Sequence, residues 1–169
     1  PTPWYSGYLH YQLEGQAVHT HYMLIEAEEA FLQNKSKPLI YWSSTYNCIW
    51  FVSALILVFL SNLPAFISDG GPGASSMFGL LTELGPLLFN HLSLDTEMYK
   101  KTGIPTPLYN EYAWSRLGHL LILDQPAPVG FSYCNTMEEH MQNPHSCGGI
   151  AWTDELTAQA AYLALAAFY

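Results

Sequence analysis

Apolar and polar residues alternate along the start of the chain, and this alternation predicts a β-hairpin at the edge of a sheet. Its strands cover residues 5–13 and 17–25, and a Glu-Gly-Gln turn joins them. A short apolar run at 38–43 predicts a buried strand. The compact apolar run at 120–124 ends in an acid, a pattern typical of a central parallel strand.

Helical patterns alternate with these strands. Residues 75–84 predict a short helix, and residues 154–169 predict a longer one that is rich in Ala and Leu. Thr153 is placed as the N-cap of the longer helix, and two acids follow it where the helix dipole favours them. Residues 85–118 have no clear period and predict a loop with fragments of structure. Strands that alternate with helices predict an α/β fold.

One apolar stretch interrupts this pattern. The 31 residues between Lys37 and Asp69 include no formal charge. Within them, residues 45–68 have the length and apolar character of a transmembrane helix, because roughly 20 apolar residues cross a hydrocarbon core of about 30 Å. Pro64 and the absence of nearby Lys or Arg on the C-terminal side weaken this interpretation. We therefore expect a membrane to be a partner only if 45–68 is a genuine span.

The composition restricts the classes of function. Half of the 169 residues are hydrophobic, 11% are charged, and the formal net charge is −9. This composition indicates a well-filled core and not a disordered chain. The composition does not favour nucleic-acid binding. The largest basic cluster is the pair Lys100 and Lys101, whereas neutralising nucleic-acid phosphates needs several basic residues. No cofactor and no metal are predicted.

The sharpest local motif is the glycine-rich sequence at 69–76, immediately before the short helix. A glycine-rich turn that leads into a helix presents free backbone N–H groups, which can hold an anion or a developing oxyanion. It is not a phosphate-binding P-loop, because no Gly-Lys-Ser/Thr follows. Taken alone, the motif could also be a purely structural turn.

Further motifs accompany this turn in a fixed order. The series is YSGYL (5–9), GGPGASS (70–76), GLLTELGP (79–86), NEYAW (110–114) and LDQPAPVGFSY (123–133). Together the motifs resemble the N-terminal part of the serine carboxypeptidase family. The resemblance implies an α/β-hydrolase fold, of which this chain would hold only the N-terminal strands and first helices. It also implies a Ser-Asp-His triad that releases C-terminal residues from peptides, so the expected partner is a peptide C-terminus.

The resemblance also implies roles for individual residues. Gly71 would donate its backbone N–H to the oxyanion hole, and its missing side chain would let the substrate approach the backbone. Trp42, Asp69, Gly70 and Glu83 would belong to the site that binds the terminal carboxylate of the substrate. A buried carboxyl that faces another carboxylate has to share a proton with it, which implies a raised pKa of that carboxyl and activity at acidic pH. Without the resemblance, Glu83 would be interpreted as an exposed helix acid.

The sequence departs from the family pattern in several respects. Asp69 stands where the family has asparagine, and a second ionised acid would repel the substrate carboxylate. Ala74 stands where the family has a cysteine. No Gly-x-Ser-x-Gly motif occurs in the sequence, so we expect the triad to lie beyond residue 169 and this fragment to be inactive by itself. The alternatives are a family acyltransferase and a noncatalytic or membrane-anchored relative.

The apolar stretch at 45–68 also separates residues that are adjacent in the family pattern Trp-x-Asn-Gly-Gly-Pro-Gly. We hypothesise that it is a translated intron, since T-rich codons encode Phe, Leu, Ile, Val and Ser. If AGT encodes Ser44 and TCA encodes Ser68, splicing can remove the bases from the second base of codon 44 to the first base of codon 69. The A of codon 44 then joins the last two bases of the Asp69 codon and creates an asparagine codon. This would restore the family pattern after Trp42 and would explain the presence of Asp69.

The remaining candidate residues indicate the cellular compartment. Cys134 and Cys147 predict a local disulfide in a secreted enzyme. A zinc site formed by these cysteines with His140 and His145 is the alternative, although the spacing is unusual. Asn34 begins an N-glycosylation sequon. Together with the family resemblance, these features predict the secretory pathway, with the vacuole, the lysosome or the extracellular space as destination.

Three more polar residues have structural interpretations. His19 and His21 lie on one face of a predicted strand, and burial with backbone partners is the expected role of both. Ser132 is also predicted to be structural, because no glycine follows it at the spacing that a nucleophile elbow requires.

Overall fold

The structure, a computed structural model, describes residues 2–28, 39–43, 65–68 and 73–169. Its main sheet has six strands in the order β1–β2–β7–β3–β4, with β8 paired to β2. The strands are β1 (Trp4–Leu13), β2 (Gln16–Ile25), β3 (Leu39–Ser43), β4 (Ala65–Ser68), β7 (His119–Leu123) and β8 (Tyr133–Cys134). A small separate sheet contains β5 (Leu87–Leu88) and β6 (Leu108–Tyr109).

Four α-helices lie in the part of the chain that the structure describes. They are α1 (Ser76–Gly79), α2 (Glu97–Thr102), α3 (Met137–Gln142) and α4 (Asp154–Phe168). A π-helical turn at Leu80–Leu84 continues α1, and single 3-10 turns occur at His91–Leu94 and Trp114–Arg116. The mixed sheet with its helices confirms the predicted α/β class.

The predicted N-terminal hairpin is confirmed. β1 and β2 pair antiparallel along their whole length, from Trp4 opposite Ile25 to Leu13 opposite Gln16. The turn residues Glu14 and Gly15 both have positive φ angles, of 50° and 74°. Positive φ at both central residues is the requirement of the tight turn that matches the twist of two hairpin strands.

The central strand β7 is parallel to only one of its two neighbours, although both were predicted to be parallel to it. It runs parallel to β3, with Tyr41 opposite Leu121, but antiparallel to β2, with Tyr22 opposite Leu123. The sheet is therefore mixed where the sequence predicted parallel neighbours. An apolar run of this length indicates a strand buried on both faces, but it does not encode the direction of the neighbouring strands.

The apolar run of β7 is explained by burial on both faces of the sheet. Leu120 and Ile122 pack in one cluster with Met77 and Leu80 of the segment that begins with α1. The alternate residues Leu121 and Leu123 pack in another cluster, with Ala164 of α4. Successive side chains of a strand point to opposite faces, so α1 and α4 cover opposite faces of the sheet.

The predicted long helix is confirmed as α4. The Thr153 hydroxyl oxygen accepts a hydrogen bond from Leu156 N at 3.3 Å, so Thr153 is the N-cap. The buried residues of α4 are small: Thr157, Ala160, Ala161 and Ala164. Small side chains allow the helix backbone to lie close to the sheet.

The predicted short helix begins one residue after its N-cap Ser75, whose hydroxyl accepts from Met77 N at 3.2 Å. Helix α3 is not among the elements that the apolar pattern predicts. Its sequence signal is the capping box, in which Thr136 caps Glu139 N and the Glu139 carboxylate accepts from Thr136 N.

A disulfide bond joins Cys134 and Cys147 across a Cα–Cα distance of 5.1 Å and closes the loop that carries α3. The bond packs against Leu13, Val18 and Ala160, between the hairpin and α4. Because the sulfurs are bonded to each other, the alternative zinc site lacks its thiolate ligands. Among the described residues, no group of three or more His, Cys, Asp and Glu could hold a metal ion.

Only the last part of the apolar stretch at 45–68 falls among the described residues. Ala65–Ser68 form β4, which pairs parallel to β3 with Ile40 opposite Ala65. Residues 45–64 lie outside the described ranges. Within those ranges, no helix is both long enough and apolar enough to cross a membrane.

We expect the double variant Cys134→Ser/Cys147→Ser to be less stable by about 3 kcal/mol, because the bond restricts the unfolded chain over a loop of this size. Urea denaturation of the intact protein measures the change. The matched control is a reducing agent, which should lower the midpoint of the wild type and leave the double variant unchanged. Equal midpoints of wild type and double variant without reductant would contradict this prediction.

Candidate functional site

The predicted site residues are only partly among the described residues. Asp69, Gly70 and Gly71 lie outside them, as does the predicted glycosylation residue Asn34. The backbone of Trp42 is in β3, opposite Ile67 of β4 on one side and Ile122 of β7 on the other. Glu83 lies in the π-helical turn that follows α1.

Glu83 has an exposed side chain on a fixed backbone, so the burial expected of its carboxyl is wrong. The amide nitrogen of Asn110 donates to the carbonyl oxygens of Glu83 at 3.0 Å and Gly85 at 2.9 Å. Asn110 is itself buried, and its backbone N–H donates to Pro86 O at 2.9 Å. Asn110 of the NEYAW motif therefore holds the backbone of the GLLTELGP motif in place by hydrogen bonds. The exposed Glu83 carboxyl faces away from the core.

The start of α1 is held by the carboxylate of Asp124, a residue that was not predicted to belong to the site. Asp124 follows β7 directly and is fully buried. Its Oδ1 accepts from the Ser75 hydroxyl at 2.6 Å and from Ser76 N at 3.1 Å. These serines are the last two residues of the glycine-rich sequence at 69–76, so Asp124 holds the C-terminal end of that sequence next to the sheet.

The other carboxylate oxygen of Asp124 has partners from two further segments. Oδ2 lies 3.1 Å from His21 Nδ1 and accepts from Phe131 N at 3.2 Å. Ser132 completes the connection, because its hydroxyl donates to Asp124 O at 2.6 Å and accepts from His21 N at 2.8 Å. Ser132 is fully buried in this network and has the structural role predicted for it.

The two histidines of β2 differ in their partners. His19 has the expected backbone partner, since its Nε2 lies 2.9 Å from Asn135 O. Burial lowers the pKa of His19, the Asn135 bond opposes this change, and the charge of His10 lowers the pKa further. The ring of His21 instead contacts the side chains of Ser6 and Asp124, because β1 and β7 flank β2 on its two sides.

Gly130 is required by the position of the Asp124 carboxylate. Its φ is +60°, and a Cβ at this position would lie 2.4 Å from the Asp124 carboxyl carbon. That carboxylate is held by hydrogen bonds and is not a mobile side-chain end. A side chain at 130 would therefore displace the group that positions α1.

Gly130→Ala should destabilise the protein more than Gly15→Ala. Both glycines have positive φ, but a Cβ on Gly15 meets no atom within 4 Å. The difference between the variants therefore isolates the clash with Asp124, which we expect to cost about 1–3 kcal/mol as overpacking. Chemical denaturation measures both values, and equal losses of stability would contradict the prediction.

Comparison with known proteins identifies relatives of the chain. A family model described as serine carboxypeptidase matches residues 69–169. The mouse lysosomal protective protein is 31% identical over 129 residues, which are 76% of this chain and 18% of that protein. A serine carboxypeptidase of Caenorhabditis elegans is 33% identical, with the same coverages of 76% and 18%. A carboxypeptidase Y homolog of Aspergillus niger is 44% identical over 68 residues, 40% of this chain and 10% of that protein.

The chain therefore spans less than a fifth of the length of these curated relatives. The matched residues 69–169 are more than half of the chain and contain every motif from the glycine-rich turn onward. The resemblance seen in the sequence motifs is confirmed, and the chain belongs to the serine carboxypeptidase family.

Proposed function

We propose that this chain forms the N-terminal part of a serine-type carboxypeptidase, a hydrolase that releases C-terminal residues from peptides. The observation that carries the proposal is the family match, which runs from Asp69 to the end of α4. We further propose that the described sheet is the first part of an α/β-hydrolase fold. The names of the relatives, which include lysosomal protective protein and carboxypeptidase Y homolog, support the same activity.

In this proposal, the chain supplies groups that bind the substrate and stabilise the transition state. The N–H of Gly71 donates to the oxyanion, and Trp42, Asp69, Gly70 and Glu83 form the site for the terminal carboxylate. The bracing of the Glu83 backbone by Asn110 supports its role, because a binding carboxyl has to be fixed in place.

The nucleophile is proposed to lie in sequence outside these residues. No Gly-x-Ser-x-Gly motif is present in the sequence, and Ser132 is fully buried with both of its partners in the Asp124 network. By itself, the chain would therefore be inactive as a carboxypeptidase.

We propose the secretory pathway, with the vacuole, the lysosome or the extracellular space as destination. The disulfide bond between Cys134 and Cys147 supports an oxidising compartment. The name of the mouse relative, lysosomal protective protein, supports the lysosomal alternative.

We also propose that residues 45–68 are a translated intron and do not belong to the active enzyme. The family match begins at Asp69, directly after this stretch. Its removal would join Trp42 and Ser43 to the glycine-rich turn through an asparagine and would keep the reading frame. Removal would also delete β4, which pairs only with β3 among the described strands.

We expect Glu83→Ala to weaken selection for a free C-terminal carboxylate in the full-length enzyme. The rate constant kcat/KM for a blocked dipeptide should fall by about 10- to 100-fold, the value of a hydrogen bond to a charged group. The same dipeptide as a C-terminal amide should be unaffected, because it carries no terminal carboxylate.

Glu97→Ala is the matched control for this experiment, because Glu97 is an exposed acid of α2 that pairs with Lys100 at 2.9 Å. An equal fall for the acid and the amide would contradict the role of Glu83. Transfer of an acyl group from a glucose ester, without dipeptide cleavage, would instead identify the protein as a family acyltransferase.

The intron proposal predicts the codons at both ends of the stretch. Ser44 should be encoded by AGT and Ser68 by TCA, because the intron would begin with GT and end with AG. Sequencing of the gene and its transcript measures this directly, and a spliced transcript should encode Asn before Gly70. A different Ser44 codon, or a purified protein that contains peptides of 45–68, would overturn the proposal. Membrane fractionation would then test a genuine anchor.

A further inference from the structure

Ser6 on the N-terminal hairpin belongs to a series of hydrogen bonds that continues through His21 to Asp124. The Ser6 hydroxyl is 2.8 Å from His21 Nε2, and His21 Nδ1 is 3.1 Å from Asp124 Oδ2. Tyr8 pairs with His21 across β1 and β2, so Ser6, two residues before Tyr8, lies on the same face as the imidazole. Both distances are within the range of normal hydrogen bonds.

The donors around Asp124 determine the tautomer of His21. Both carboxylate oxygens already accept hydrogen bonds, from Ser75 and Ser76 on Oδ1 and from Phe131 N on Oδ2. A carboxylate surrounded by donors acts as an acceptor, so His21 donates its Nδ1 proton to it. The Nε2 atom then carries a lone pair, and the Ser6 hydroxyl donates to this lone pair.

Accessibility differs along this chain of residues. Asp124 is fully buried, His21 is 6% exposed, and Ser6 is exposed at the outer strand β1. The rings of Tyr8 and Phe131 contact the His21 ring edge-on, with centroid distances of 5.7 Å and 5.1 Å. These neighbours hold the imidazole in place, so a reagent in solution meets the serine hydroxyl while the base and the acid stay covered.

We propose that Ser6 is a second nucleophile of this protein, which accepts an acyl or phosphonyl group from an activated electrophile with His21 as its base. The arrangement has the geometry and roles that define an activated serine: a hydroxyl bonded to a base, and a base oriented by a buried acid. This inference does not depend on the proposed carboxypeptidase activity, because it uses neither the glycine-rich turn nor Glu83.

The step can be written for a fluorophosphonate, the probe for the experiment. Ser6 Oγ forms a bond to phosphorus, and the phosphorus–fluorine bond breaks. The hydroxyl proton moves to His21 Nε2, and fluoride leaves with the bonding electron pair. The protonated imidazole then releases its proton to solvent, and the phosphonyl group stays on Ser6.

The test is to label the intact protein with a fluorophosphonate and to map the adduct by mass spectrometry. We expect an adduct on the peptide that contains Ser6, which separates it from any adduct on a family nucleophile elsewhere in the protein. Ser6→Ala should abolish this adduct and leave dipeptide cleavage unchanged. His21→Gln should slow labelling of Ser6 by about 100-fold or more, the usual contribution of a general base.

His10→Gln is the matched control, because His10 lies on the same hairpin but its ring bonds to His19 and not to Ser6. It should label at the wild-type rate. Since His21 also contacts Asp124, circular dichroism checks that the His21→Gln variant is folded. The wild-type protein unfolded in urea is labelled in parallel. We expect urea to abolish the adduct. Unlabelled Ser6 in the native protein, or equal labelling in urea, would overturn the proposal.

Discussion

The structure depends on one buried carboxylate. Asp124 is fully excluded from water, and a buried charge is tolerated only when hydrogen-bond donors surround it. The donors to its carboxylate come from β2, from the start of α1 and from the loop after β7. If any one of these segments moves alone, the buried carboxylate loses hydrogen bonds. The position of the start of α1 is therefore fixed by a residue that lies far from it in the sequence.

Local sequence patterns predicted the elements of this fold but not their connections. The hairpin, β3, β7 and α4 follow from the alternation of apolar residues and from capping chemistry, which act over a few positions. The partners of the Asp124 carboxylate include His21, Ser75 and Phe131, and no local sequence pattern relates the three. The only sequence signal for Asp124 is an acid at the end of an apolar strand. The direction of β2 beside β7 was also beyond any local pattern.

The candidate site could be proposed from the sequence because its motifs are long and ordered. The family resemblance predicts that Glu83 is a ligand of the substrate carboxylate, whereas its helix position alone indicates an ordinary exposed acid. The structure adds the bracing by Asn110, which joins two motifs that are separate in the sequence. Gly130 also depends on a contact that the sequence does not reveal. A Cβ at this position would clash with the Asp124 carboxylate.

The pairing of β4 with β3 determines where the sheet can grow. A strand has two hydrogen-bonding edges, and β3 pairs with β7 along one edge and with β4 along the other. With residues 65–68 in place, any further strand on this side has to add to β4. Without them, the outer edge of β3 is an open template for the next strand. The two versions of the chain differ by one strand spacing, about 4.8 Å, in the place at which a further strand can add to this edge of the sheet.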